Sequence, residues 1–197
     1  MHLSIQIVNM AKSKKAVRSN KKHAAAKSRK KQPTDVTLTG AVRAMTAISE
    51  IQHLSKKGLE FIGREEGCML KPYLDSVGVP TIGYGNTYYE NGVRVKMSDP
   101  PISKDRALSL FLNILGFYEK AVWSNTRNDI NQNQFDALVS LTYNIGVNGF
   151  KNSTVLKLVN KNPSDPKITD AFKMWKNAGG KPILLKRRIR EANLYFS

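Results

Sequence analysis

Three side chains able to do acid–base chemistry stand in one short stretch: Glu66, then eight residues to Asp75, then five to Thr81. A carboxyl held neutral can protonate a leaving group. An ionised partner can act as base or stabilise a developing positive charge, and a hydroxyl can position water. The local sequence gives the two acids different surroundings. Leu59, Ile62 and Glu66 recur at i, i+3 and i+7, so Glu66 closes an apolar helical stripe, where desolvation favours the neutral form. Asp75 precedes the turn signal Ser76-Val77-Gly78, a wetter setting in which a carboxylate stays ionised. Glu66 is therefore read as the acid, Asp75 as base or electrostatic stabiliser, and Thr81 as the water-positioning hydroxyl. Glu65 is passed over because Glu66 precedes Gly67 and keeps the spacing to Asp75. Alone, Glu66 would read as an exposed terminal glutamate; Asp75 and Thr81 behind it change that reading.

These residues need elements to hold them. Ser55 is an N-cap signal for a helix over 56–66. A strand is expected near 69–74, a turn at Ser76-Val77-Gly78, and a second strand over 79–84. Asn91-Gly92 followed by Val93-Arg94-Val95-Lys96 predicts a further hairpin, for a small antiparallel sheet of about three strands. The remainder reads as helical. Ser103 caps a long helix to about Trp123, with Ala107, Leu108, Leu110, Phe111, Ile114 and Leu115 as its apolar side. Asn131 opens another that closes at Asn144-Ile145-Gly146. Helices at about 153–160, 166–176 and 183–195 follow, with Ala178-Gly179-Gly180 breaking the chain before the last.

The N-terminal quarter differs in kind. Residues 11–35 are dominated by Lys, Arg, Ala and Ser with Asp35 the only acid, which predicts a basic disordered tail over 1–35. Over 36–54, Val42, Met45, Ile48, Ile51 and Leu54 recur every third residue, the pattern of an amphipathic linking helix docked on the domain at 55–197. The 197-residue chain carries a net charge of +17, which predicts attraction to polyanions such as nucleic acid or an anionic bacterial envelope. A solubilising role is the plain alternative for the tail. Cys68 is the only cysteine, so no intramolecular disulfide can form, and it is expected to be a small buried filler. No run approaches the roughly 20 apolar residues of a membrane span, and residues 1–10 are too short and polar for a signal-peptide core. His2, His23 and His53 all precede the candidate site, and no metal-ligand spacing is present.

Glu66-Gly67, Tyr73, Asp75, Gly78 and Thr81-Ile82-Gly83-Tyr84-Gly85 resemble the phage-type lysozymes of glycoside hydrolase family 24, the endolysins of lambdoid and T-even phages. The likeness continues through Gln134-Phe135-Asp136-Ala137-Leu138, Tyr143-Asn144-Ile145-Gly146, Gly149 to Thr154, Trp175, Gly179-Gly180-Lys181, Leu185 to Arg188 and Glu191. It implies an α+β, lysozyme-like two-lobe fold: a small lobe with a β-hairpin sheet, a larger helical lobe, and a cleft between them. It implies hydrolysis of the β-1,4 bond between N-acetylmuramic acid and N-acetylglucosamine of peptidoglycan for host cell lysis, with the same three roles for Glu66, Asp75 and Thr81. Thr87, Tyr143 and Ser153 carry over as substrate-binding residues, and Arg187 or Arg188 as a partner of Glu66; surface basic residues are the alternative for that pair. No metal or organic cofactor is implied. Inversion is the outcome in the best-known members; sequence spacing sets no carboxylate distance, so retention stays open.

There are departures. Asn86 stands where many members have His, Ile183 where a Gly is common, and a basic tail where the signal-arrest-release subgroup has an apolar anchor. The basic tail in place of an anchor points to release from the host cytoplasm to periplasm or wall through a separate holin and to attraction by envelope polyanions; a monomer is expected. Two further readings are a lytic transglycosylase, against which Asp75 and Thr81 argue, and a catalytically inactive cationic wall- or nucleic-acid-binding protein.

Overall fold

In a computed structural model of the protein, the described residues run from Gln52 to Ser197. The expected tail and nearly all of the expected linking helix lie outside them; the last three positions of that helix, 52–54, are described and are not helical. The order is α1 (Lys56–Glu66), β1 (Met69–Leu74), β2 (Pro80–Gly83), α2 (Lys104–Trp123), α3 (Gln132–Lys151), α4 (Thr154–Lys161), α5 (Ile168–Lys173) and α6 (Leu185–Tyr195).

The predicted caps form. The Ser55 hydroxyl accepts from Gly58 N at 3.0 Å and Ser103 Oγ from Arg106 N at 3.1 Å. Asn131 and Gln134 make a reciprocal capping box at the start of α3, which satisfies two orphan donors at once. Every residue of α3 from Gln134 to Gly146 is buried, as befits a helix enclosed by others. It packs on α6, α2 and α1. Gly146, at φ 79° and ψ 158°, is non-helical and kinks α3 where the sequence predicted its end.

Two cores result. The larger gathers Ile62 from α1, Phe111 and Leu115 from α2, most of α3, and residues of α4, α5 and α6. The smaller holds Ile82, Val95 and Leu110. Because Leu110 enters one core and Phe111 the other, α2 is the spine joining both lobes.

Three expectations are corrected. The sheet has two strands, not three: β1 pairs antiparallel with β2, and the 86–95 segment contributes only isolated bridges, Ile82 with Asn86 and Tyr88 with Arg94. The Asn91-Gly92 turn does form: Tyr89 N donates to Val93 O at 2.9 Å and Val95 N to Thr87 O at 3.0 Å, so its arms bond to each other and do not add a strand to the β1–β2 ladder. Leu108 is 38% exposed on the outer side of α2, about 100° from Ala107, so it does not join the core. Cys68 is exposed, because it follows the helix-ending Gly67 and starts outside the paired strand.

Candidate active site

Glu66 is the last residue of α1 and is 8% exposed. The helix ends directly behind it because Gly67 adopts φ 65°, a conformation costly for residues with a Cβ, and returns its N–H to Gly63 O at 3.0 Å. The stripe argument located this carboxyl but missed its neighbour. Arg187 Nη1 lies 2.7 Å from Glu66 Oε1, so a guanidinium that favours the charged form opposes the desolvation that disfavours it.

Arg187 is shared. Its Nε donates to Glu191 Oε1 at 3.0 Å and its Nη2 to Ser140 O at 3.4 Å. Burial works against the Arg187 charge, but the Glu66 and Glu191 carboxylates outweigh it and its pKa is raised. Arg188, by contrast, does not reach Glu66. It is fully buried, donates through Nη2 to Asn144 Oδ1 at 2.8 Å, and sets Nη1 3.2 Å from Glu191 Oε2 without hydrogen-bond alignment. Burial is the first cause of its lowered pKa, only partly countered by Glu191. Ser140 Oγ completes the set, donating to Glu191 Oε1 at 2.7 Å. Of the two expected arginines, Arg187 is the partner of Glu66 and Arg188 braces the network beneath it. The sequence signal for the rest was available, since Arg187 and Glu191 are spaced i, i+4 and Arg188 and Glu191 i, i+3.

The hairpin supplies the other two groups. Tyr73 pairs with Thr81 and Leu74 with Pro80. Side chains alternate along a strand, so Tyr73, Asp75 and Thr81 fall on one face, with Asp75 diagonal to Thr81. Asp75 Oδ1 accepts from Val77 N at 2.9 Å and Val79 N at 2.8 Å, which fixes the turn. Thr81 is fully buried and its hydroxyl donates to Val79 O at 2.9 Å. Its proton is thus occupied, and its oxygen remains an acceptor.

The expected sugar contacts separate. Thr87 is buried and its hydroxyl has no partner, the condition of a group that a ligand could satisfy. Tyr143 donates its hydroxyl to Tyr84 O at 2.9 Å, and burial first, then the Glu66 charge, pushes its pKa well up. Its ring meets Phe111 edge-on at 5.8 Å, while Phe111 stacks on Tyr84 at 4.4 Å, so Tyr143 ties the hairpin lobe to α3. Ser153 is the N-cap of α4, its hydroxyl accepting from Leu156 N at 3.0 Å. Asn86 fills its place structurally, donating to Leu110 O at 3.3 Å. One contact went unforeseen: Arg190 donates to Glu65 through Nε at 2.6 Å and Nη2 at 2.7 Å, and fastens α6 to the end of α1. Among the described residues no group of three or more His, Cys, Asp or Glu could hold a metal ion, and no helix is long and apolar enough to cross a membrane.

Residues 63–191 match the family described as Phage lysozyme, a span that includes every site residue named above. The endolysin of Salmonella phage P22 is 44% identical over 148 residues, 75% of this chain and 100% of that protein. The endolysin of Acyrthosiphon pisum secondary endosymbiont phage 1 is 34% identical over 151 residues, 74% of this chain and 99% of the other. Among solved structures, a crystal structure of a P22 lysozyme variant matches with a TM-score of 0.66 at 44% identity, over 74% of this chain and 99% of that one.

Proposed function

The chain belongs to the phage lysozyme family, muramidases that act as glycoside hydrolases, and on that premise we propose that Glu66, Asp75 and Thr81 carry its reaction. The substrate is peptidoglycan, cut at the β-1,4 bond between N-acetylmuramic acid and N-acetylglucosamine, and the outcome is lysis of the host cell. Glu66 protonates the leaving oxygen. Asp75 stabilises the oxocarbenium-like state or activates water, and the Thr81 oxygen accepts from that water and orients it. Thr87 is the residue best suited to hydrogen-bond sugar, because its buried hydroxyl has no protein partner.

The observation that carries this reading is the division of Arg187 between two carboxylates. A carboxyl paired only with a buried guanidinium would be held ionised, and protonating it would strand the arginine. Here Glu191 keeps Arg187 partnered when Glu66 takes up a proton. The ion pair therefore orients the Glu66 carboxyl without confining it to the charged form.

The basic tail draws the enzyme to anionic envelope surfaces, by a steering effect that weakens with ionic strength. Release occurs through a pore made by a separate holin, after residence in the host cytoplasm, and the enzyme acts as a monomer.

The test is clearing of purified peptidoglycan with mass analysis of the products. Glu66→Gln should lower the rate by roughly 10²- to 10⁴-fold. Hydrated reducing ends from the unaltered chain support hydrolysis. Anhydro-muramic ends would instead mark a transglycosylase, and clearing by Glu66→Gln at the normal rate would remove Glu66 as the acid. A chain that binds wall without cutting it would return the reading to a cationic binding protein.

A further inference from the structure

We propose that the outer face of α6 docks on an anionic lipid surface, its apolar side chains at the headgroup boundary and its lysines on lipid phosphates. The first support is the helix itself. Its inner side is buried through Arg187, Arg188, Glu191, Ala192, Leu194 and Tyr195. At about 100° per residue, Leu185, Ile189 and Phe196 fall within an arc of about 40° on the other side. They are 36%, 39% and 44% exposed, and the stripe they form runs about 16 Å along the whole helix. The loop before α6 lengthens it. Leu184 N donates to Lys176 O at 2.9 Å, which brings Met174 and Ile183, also exposed, to the start of the helix. A continuous apolar stripe of this kind marks an interaction surface, unlike surface leucines scattered singly.

The second support is charge. Residues 52–150 carry ten Lys or Arg against ten Asp or Glu, whereas residues 151–197 carry eleven against three. Some of those cations are already paired: Arg187 and Arg188 with Glu191, Arg190 with Glu65, and Lys173 with Asp170. Lys176, Lys181 and Lys186 are exposed beside the stripe and make no ion pair among the described residues. The apolar stripe is therefore rimmed by positive charge that nothing in the described fold neutralises.

The aliphatic side chains decide which polyanion this face suits. A soluble acidic polymer would engage the lysines alone and leave Ile183, Leu185 and Ile189 in water. At a bilayer boundary these leave water while the lysine stems reach the headgroups. No described helix is long and apolar enough to cross a membrane, so the mode is adsorption and not insertion across the bilayer. Arg187 stands about 160° around the helix from Ile189. Adsorption through the stripe thus turns the side of α6 that holds Glu66 away from the lipid.

Vesicle sedimentation with the full chain tests this, comparing phosphatidylglycerol–phosphatidylcholine vesicles with phosphatidylcholine alone. The unaltered chain should bind the anionic vesicles and not the neutral ones. Ile189→Ser with Phe196→Ser, both at exposed positions, should weaken that binding about 10-fold. Lys186→Gln, a surface change that leaves packing alone, should weaken it about 5-fold. Each variant keeps the basic tail, so the difference from the unaltered chain reports α6. Clearing of lipid-free peptidoglycan at the normal rate certifies the fold of each. Unchanged vesicle binding by the double variant or by Lys186→Gln would overturn the proposal and leave membrane attraction to the tail. Equal binding to phosphatidylcholine alone would overturn it as well. So would an equal loss of duplex DNA binding in the double variant, which would reassign the face to nucleic acid.

Discussion

The two carboxylates of the site are held by opposite means. Glu66 is set by charge: it is buried at a helix end, tied to Arg187, which is tied in turn to Glu191 and through it to Arg188. Asp75 is set by backbone: one of its oxygens takes the two N–H groups of its own turn, and nothing charged is bonded to it among the described residues. The Glu66 side draws on α1, α3 and α6 at once, whereas the Asp75 side is closed within five residues. A buried charged network is cooperative and fails as a whole. A turn anchor fails locally. The two acids should therefore respond very differently to equivalent changes.

The largest effect is expected at Glu191, which touches no substrate in this scheme and acts through Arg187. Glu191→Ala leaves two buried guanidinium groups short of a counter-charge and should cost about 3–5 kcal/mol in chemical denaturation. Glu191→Gln retains the shape and gives the sharper reading. With its charge gone, Arg187 becomes the partner of Glu66 alone and favours the Glu66 carboxylate. The alkaline limb of the pH–rate profile should then move to lower pH. An unmoved limb in a folded Glu191→Gln enzyme would break the account of a shared arginine.

Alkaline stability probes the same side. Burial, and then the charge of Glu66, push the Tyr118 phenol up to about 12. A raised pKa means that the folded state favours the protonated phenol. Its contribution is complete below the unfolded tyrosine value of about 10 and is lost as pH climbs to about 12; at about 1.4 kcal/mol per unit the loss is about 3 kcal/mol. Thermal unfolding followed with tyrosinate absorbance should show it. Glu66→Gln, which removes the second cause, should narrow the window.

Packing behind α1 ranks next. A Cβ on Gly58 would stand 2.4 Å from Asp136 Cγ, and Asp136 is fixed by Ser55 Oγ at 2.5 Å and Gln132 Nε2 at 2.8 Å. Gly58→Ala should cost about 1–3 kcal/mol through overpacking of this contact. Thermal denaturation of the single and double variants with Asp136→Ala would show non-additivity, because the clash disappears when Asp136 does.

This contrast also explains what the sequence could disclose. Helix starts were legible where Ser55, Ser103 and Asn131 cap through their own side chains, a local and short-range signal. The Asp75 turn was legible for the same reason. The Glu66 environment was legible only in part. The apolar spacing of Leu59 and Ile62 is visible in the chain, but the arginine that sits on Glu66 lies 121 positions later on α6. The i, i+4 spacing of Arg187 and Glu191 hinted at a pair, but nothing local showed that it would be buried. Ser153 and Tyr143 illustrate the converse. A position inherited from a family pattern carries no statement about where its hydroxyl points, and both hydroxyls bond backbone groups here. The third strand failed because alternation along 93–96 signals an extended segment without saying what it pairs with, and here Val95 N bonds Thr87 O and not the β1–β2 sheet.

The smallest change in stability is expected at Asp75, and it is the one that isolates its role. Asp75→Asn keeps a carbonyl oxygen at the position of Oδ1, so the bonds from Val77 N and Val79 N can persist and stability should move by less than about 1 kcal/mol. Asp75→Ala removes both acceptors and should cost about 1–2 kcal/mol, confined to the turn. Peptidoglycan clearing should nevertheless fall sharply in both, because each lacks the ionised oxygen that the proposed mechanism requires. Chemical denaturation beside a clearing assay separates the two effects. If Asp75→Asn cleared at the normal rate, Asp75 would be a turn anchor only, and the chemistry would lie wholly on the Glu66 side. If it instead unfolded as readily as Glu191→Ala, the division between a side held by charge and a side held by backbone would be wrong.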